Sequence, residues 1–304
     1  MTEGLEIHGV RAVPDGMVWV PGGTFAMGSE NFHPEERPVR PVSVAGFFMD
    51  IRPVTNAEYA AFVLATGHVT ASERPSAPPA PPRIPGSYVF RPTDGPVPLD
   101  DRNRWWTYVP GADWRHPQGP ASSLEDRADH PVTHVTYTDA TAYSAWAGKQ
   151  LPTEAEWEFA ARGGLAGTAY PWGDELAPHG RRMANTWHGD FPWRRAAPHG
   201  TSPVGAYDRN GLGLHDMVGN VWEWTSDPAA AELAARSAHP CRVPDADGAA
   251  EGSRSAVARH AHRVVKGGSH LCAPRSCHHF RPAARLAEAE TTAACHLGFR
   301  CVSR

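Results

Sequence analysis

The sequence predicts an α+β domain built from short elements, on three observations. Glycine and proline supply 29 and 30 of the 304 residues, too many for long regular elements and too few for a low-complexity chain. Three segments read as helices with an apolar face, two of them opened by capping boxes, and four short stretches alternate as half-buried strands do. Eleven tryptophans and 41% hydrophobic residues supply a core, and no linker divides the chain. One domain over residues 16–304 is therefore expected, after an N-terminal tail of residues 1–15.

In chain order, Met17 to Val20 and Val39 to Val44 read as strands. Thr55 with Glu58 three residues on is a capping box, opening a helix that puts Tyr59, Phe62 and Val63 on one face and stops at Gly67. Residues 71–98 hold Pro78, Pro79, Pro81 and Pro82, which lack the N–H a ladder needs, so an extended surface loop is expected. Val132 to Tyr137 reads as a strand, and Asp139 to Ala147 as a helix with Tyr143 and Trp146 on its buried face, ending at Gly148. Thr153 with Glu156 repeats the capping box ahead of Trp157, Phe159 and Ala160, and the helix ends before Gly163. The helix aromatics are expected in the core. Residues 228–262 are alanine-rich and free of aromatics, the composition of a mobile loop. Arg263 to Lys266 is the last expected strand.

Chemistry concentrates just after that strand, in VVKGGSHLCAPRSCHHF. Cys272 and Cys277 stand five residues apart in a chain with five cysteines, on a segment opened by Gly267 and Gly268. Lys266 and Arg275, with His270, His278 and His279, favour the thiolate form. Thiolates select copper(I) and zinc over hard cations. The spacing admits a disulfide, a zinc corner completed by Cys295 and Cys301, or a copper(I) bis-thiolate, although the tight second pair of a zinc knuckle is missing. Cys241, in the alanine-rich stretch, is read as a bystander.

A net charge of −4 and a pI near 6.5 provide no basic face for nucleic acid. The N-terminus has no basic region followed by an apolar run, and no stretch reaches the length of a membrane span. A cytoplasmic monomer is expected, in a reducing compartment that keeps thiols free.

Several separate segments match one pattern. MVWVPGGTFAMGSE from Met17, RPVTNAEYAAFVLATGHVT from Arg52 and HPVTHVTYTDATAYSAWAGKQLPTEAEWEFAARGG from His130 are three of them. YPWGDE from Tyr170, GLGLHDMVGNVWEWTSD from Gly211, GGSHLC and the terminal LGFRC complete the set. Together they resemble the formylglycine-generating enzyme family, also called sulfatase-modifying factors, over nearly the whole chain. The resemblance implies an irregular relative of the C-type lectin fold. It also implies a copper(I)-dependent oxidase that uses O2 to remove a hydrogen from the Cβ of a substrate cysteine. The resulting thioaldehyde hydrolyses to Cα-formylglycine, the catalytic residue of sulfatases. The implied partners are a cysteine-containing peptide or unfolded sulfatase segment, and molecular oxygen.

Carried over by position, Cys272 and Cys277 match the copper ligands, Ser269 the active-site serine and Trp222 the tryptophan that walls the pocket. Structural calcium is implied at Asp216, Gly219, Val221 and Glu223. Asn185 and Thr186 match the start of a second calcium site, whose acidic continuation is missing between Phe191 and Val204. The resemblance gives His270, His278 and His279 no role. Departures lie around the thiols, where Ala273 replaces a histidine and Ser276 a tyrosine of the family's Cys-His-x-Ser-Tyr-Cys. The tryptophan pair after Trp224-Thr225-Ser226-Asp227 is absent, and Leu286 to Glu290 replaces Asn-Thr-Pro-Asp-Ser. These changes keep two other readings open: the same chemistry on a different thiol, peptide or small molecule in a biosynthetic pathway, and a lectin-like binder without catalysis.

Overall fold

Capping boxes start the three longer helices. In α1 (Asn56–Thr66), the Thr55 hydroxyl accepts from the Glu58 amide, and the Glu58 carboxylate accepts from the Thr55 amide at 2.8 Å. Gly67, at φ +67°, ends the helix in the left-handed conformation that glycine tolerates. Helix α2 (Tyr137–Trp146) uses Thr136 with Asp139, and α3 (Glu154–Ala161) uses Thr153 with Glu156. A fourth, short helix α4 covers Ala231–Ala235. The structure, a computed structural model, describes residues 13–75, 84–196, 200–235, 239–244 and 261–304.

Thirteen short strands complete the described chain. They are β1 (Met17–Val20), β2 (Gly23–Met27), β3 (Arg40–Val44), β4 (Phe47–Asp50), β5 (Gly86–Phe90), β6 (Trp106–Pro110) and β7 (Gly189–Asp190). β8 (Arg194–Arg195), β9 (Trp222–Pro228), β10 (His262–Lys266), β11 (Arg285–Ala289), β12 (Leu297–Gly298) and β13 (Val302–Ser303) follow. One sheet has the order β1-β4-β13 and the other β11-β10-β9-β12; β2-β3, β5-β6 and β7-β8 pair two by two. Strand β9 lies centrally, antiparallel to β10 with Lys266 opposite Glu223, and parallel to β12. The expected mixed α+β architecture of few helices and short strands is thus the observed one.

The main core joins the helices to these sheets through aromatic rings. Tyr59 of α1 packs edge-on to Trp114 and Phe299 and stacks on Tyr143 of α2. In a second cluster with Val20, Phe47 and Met49, Trp157 of α3 is fully buried and donates its indole N–H to Glu223 of β9 at 2.8 Å. Buried ion pairs reinforce this frame. Arg300 grips Glu223 through two nitrogens, at 2.7 and 2.8 Å, and also donates to backbone carbonyls at His215 and Asp216. Glu158 of α3 takes Arg162 at 2.7 Å and Lys266 of β10 at 3.0 Å, and Arg281 pairs with Glu36. Each guanidinium or ammonium meets its carboxylate out of water, where losing one partner is costly.

Four sequence expectations change. Val132 to Tyr137 forms no strand: His134 adopts φ +61°, and Thr136 is already the N-cap of α2. The box that starts α2 escapes a search for Glu or Gln because its third residue is Asp139. Trp146 is 45% exposed, so of the two aromatics expected in the core only Tyr143 enters it. Within residues 71–98, expected to run as an extended loop, Gly86–Phe90 pairs with β6; Pro78, Pro79, Pro81 and Pro82 lie outside the described residues. Within residues 228–262, Leu233 and Ala234 bury against Val264 and Ala287, and Cys241 and Val243 join the main core.

Candidate active site

The site begins where β10 runs out. Gly267 and Gly268 have φ of +93° and +70°. A Cβ on Gly267 would lie 2.9 Å from the Trp157 ring, and one on Gly268 would lie 2.9 Å from the His279 backbone. Only glycine fits this double reversal. The chain then closes two tight turns. The Cys272 amide donates to the Ser269 carbonyl at 2.9 Å, and the Ala273 carbonyl accepts from the amides of Ser276, Cys277 and His278. The second turn carries Cys277 back towards Cys272, and a positive φ at His278 redirects the chain afterwards.

A third thiol meets the pair. Cys241 Sγ lies 2.6 Å from Cys277 Sγ and 3.5 Å from Cys272 Sγ, all three side chains are buried, and all five cysteines are free. Cys241 is therefore no bystander. Sequence reading missed it because its alanine-rich neighbours suggested a loose loop; the usable signal was a histidine and a cysteine flanking one proline, His239-Pro240-Cys241. Cys295 and Cys301 stay apart, Cys295 beside the Phe90 amide and Cys301 beside Asp50. The described residues thus offer three thiols at one point, with neither a disulfide nor a four-cysteine zinc site.

The electrostatics single out one thiolate. Burial pushes the Cys241 and Cys272 thiols up. At Cys277 burial acts the same way, but hydrogen bonds from Cys241 and Cys272 and the charge of neighbouring His279 overcome it and hold this thiol well below its ordinary value. The Ser269 amide adds a contact to Cys272 Sγ at 3.4 Å, a donor that favours the thiolate. The Ser269 hydroxyl accepts from the Leu271 amide at 3.2 Å, so part of its role is to hold the turn.

Trp222, at the start of β9, is buried in the same cluster as the three cysteines, and its ring meets His279 at 5.7 Å. Its indole N–H has no hydrogen-bond partner among the described residues, and neither has either ring nitrogen of buried His279. His279, left without a role by sequence reading, thus belongs to the site. His278 turns away to Tyr170, whose hydroxyl lies 2.7 Å from its Nε2. His270 points to the Asn220 carbonyl at 2.9 Å. Small Ala273 is buried, and the Ser276 hydroxyl is buried without a partner among the described residues.

The soft donor set fits copper(I): two sulfurs on a rigid turn, a third within reach, and a thiolate already favoured. Calcium fits less well. Glu223 gives its carboxylate to Arg300 and Trp157, so a calcium ion there would face the guanidinium directly; Asp216 accepts from the Gly205 amide at 2.6 Å, and burial pushes its carboxyl up. At the other expected calcium position, Arg195 donates to Asn185 Oδ1 at 2.9 Å and to the Thr186 carbonyl at 3.2 Å. A side-chain cation thus meets Glu223 at the first expected calcium position and Asn185 and Thr186 at the second.

The chain matches the family described as sulfatase-modifying factor enzyme 1-like domain over residues 7–304. It is 50% identical over 305 residues to the formylglycine-generating enzyme of Mycobacterium tuberculosis, covering 94% of this chain and 97% of that protein. It is 37% identical over 303 residues to the inactive C-alpha-formylglycine-generating enzyme 2 of Mus musculus, covering 94% and 85%. Among solved structures it is similar to PvdO from Pseudomonas aeruginosa, with a TM-score of 0.59, 24% identity and coverage of 95% and 94%; this likeness concerns the fold.

Proposed function

From the premise that this chain belongs to the sulfatase-modifying factor enzyme 1-like family, we propose that it oxidises a peptide cysteine to Cα-formylglycine. One observation carries the reading: the glycine-locked turn presents Cys272 and Cys277 as a buried thiol pair with one thiolate favoured. Family membership alone does not decide turnover, since a relative named inactive shares over a third of the sequence. The retained pair does favour it. Buried cysteines often serve only as small apolar side chains, but three of them meeting at one point with one thiolate favoured go beyond what packing requires.

Cys272 and Cys277 would hold copper(I), which when bound supplies the activation of O2 at this site. The chain's own groups supply the rest. The Ser269 amide steadies Cys272, and the Ser269 hydroxyl keeps a hydrogen that no described residue takes. Trp222 closes one wall and, with its unpartnered N–H, offers a donor inside an apolar enclosure. Cys241 stands where a third thiol meets the pair. With all three side chains buried, a substrate thiol reaches the pair by displacing residues 239–244. The exclusion of bulk water at this point protects the oxidised substrate carbon until it is released for hydrolysis.

The test is a peptide containing Cys-x-Pro-x-Arg, the recognition sequence that the family resemblance implies. It is incubated with copper-loaded protein, air and a thiol reductant, and the aldehyde is read by mass and hydrazide capture. Aldehyde that disappears in Cys272→Ala and Cys277→Ala supports the reading. Copper bound one-to-one without aldehyde would direct the same chemistry to another thiol, which the small Ala273 and Ser276 would admit. Failure of copper(I) to bind would overturn it.

A further inference from the structure

Beside the thiols, four side chains from three separate segments converge. His33 and Glu35 come from the turn before β3, His239 from residues 239–244, and His279 from the turn after Cys277. Their potential ligand atoms all lie within 4.8 Å of one another. Glu35 Oε1 is 2.9 Å from His239 Nε2 and 3.6 Å from His279 Nε2. The His239 ring meets His279 edge-on at 4.4 Å, and His33 stacks on His279 at 4.2 Å.

His279 is the second observation. It is fully buried, and neither of its nitrogens has a hydrogen-bond partner among the described residues. Nε2 faces Glu35 only at 3.6 Å, beyond a hydrogen bond, and a buried imidazole that makes no hydrogen bond is unfavourable unless something completes it. Glu35 brings one carboxylate, itself only 7% exposed, to three imidazoles. That donor set lacks sulfur and holds one negative charge, which suits a divalent ion better than the monovalent copper of the thiol site. His33 has already spent Nε2 on the Cys277 carbonyl at 2.8 Å, which fixes the ring and leaves Nδ1 as its donor.

We propose that His33, Glu35, His239 and His279 bind a divalent first-row transition metal, zinc foremost, through three imidazole nitrogens and one carboxylate oxygen. Tetrahedral ligands at about 2.0–2.1 Å from zinc sit roughly 3.3 Å apart. The cluster therefore contracts on binding, and the stacked rings of His33 and His279 splay. The site shares two segments with the thiols: His239 is two residues from Cys241, and His279 two residues from Cys277. A bound metal pins residues 239–241 over the thiol pair. The metal site stands on its own four residues; its effect on access to the thiols rests on the function proposed above.

The experiment is a cobalt(II) titration of a Cys241→Ser, Cys272→Ser, Cys277→Ser chain, followed by visible absorption. One equivalent with nitrogen- and oxygen-type bands and no sulfur charge transfer is expected, weakened at least about 100-fold by Glu35→Gln or His239→Ala. A second measurement does not depend on the triple variant folding. In the chain with its cysteines intact, zinc retained after dialysis falls by one equivalent in His239→Ala and in Glu35→Gln, with unchanged circular dichroism. No stoichiometric cobalt, or zinc content indifferent to both substitutions, overturns the site. Neither outcome bears on aldehyde formation, so failure here is distinguishable from failure of the oxidase reading.

Discussion

Lys266 and Ser269 are separated by two glycines, and the buried polar groups on either side of them are treated in opposite ways. On the Lys266 side, the ammonium meets Glu158 and Glu154, Glu158 also takes Arg162, and Glu223 takes both Arg300 and the Trp157 indole. On the Ser269 side lie three thiols in mutual contact, an indole N–H without a hydrogen-bond partner among the described residues, and an imidazole that makes no hydrogen bond, its Nε2 standing 3.6 Å from Glu35. Both regions are equally buried, so exposure does not explain the difference. In the first, opposite charges of the chain itself meet, with Glu154 Oε1 left at 3.6 Å from Lys266, beyond a hydrogen bond. The second is left incomplete, which makes sense where ligands are meant to enter.

The largest test of that contrast concerns turnover. Cys272→Ala or Cys277→Ala should lower aldehyde formation by about 10³-fold or more, as removal of one member of a catalytic unit does, with melting temperature shifted by only a few degrees. Cys241→Ser should keep turnover within about tenfold, because a substrate thiol takes its place. If Cys241→Ser proves as damaging as Cys277→Ala, the third thiol is a permanent ligand and the displacement reading fails.

The ion-paired region should respond in stability. Arg300→Met strands Glu223 in the core and should cost about 3–5 kcal/mol, read as a lower urea midpoint with an unchanged slope. A smaller loss would mean that water reaches Glu223 and that the region is less closed than its geometry implies.

A pH test extends the comparison to a buried histidine whose partners are complete. His134 is fully buried with both nitrogens engaged, by Ser87 and by the Pro117 carbonyl, and burial lowers its pKa to about 4. The unfolded chain binds that proton near pH 6.5, so this contribution is present above about 6.5 and is lost as pH falls towards 4. The loss is about 3 kcal/mol. His134→Gln should flatten the melting temperature of the chain between pH 7 and 4.5 relative to the parent, whatever the absolute stability of the variant. An unflattened profile would assign the acid loss to other groups. The smallest effect is expected at a cap: Thr153→Ala should cost about 1 kcal/mol, roughly 2–4 °C in melting temperature.

How much of this was legible in the sequence follows from the range of each interaction. Capping boxes are local, three residues wide, and those at Thr55 and Thr153 were readable as they stand. The thiol pair was readable because five residues and two glycines hold its logic. Cys241 was not, since its meaning comes from a partner 36 residues away and its local composition pointed elsewhere. The histidine cluster was harder still, because His33 and His279 meet across nearly the whole chain. Val132 to Tyr137 failed for a different reason: apolar alternation was present, but one left-handed residue at His134 and an aspartate in the box redirected the segment.

The double-glycine turn is also fastened at three further points: the Gly267 carbonyl accepts from Gly219, the His270 amide donates to Asn220, and the Cys272 carbonyl accepts from Trp187. Its amide protons should therefore exchange with solvent only when the β9–β10 pair itself opens. Heat inactivation and unfolding would then follow one curve, and a protease acting below that temperature would leave the thiol turn intact.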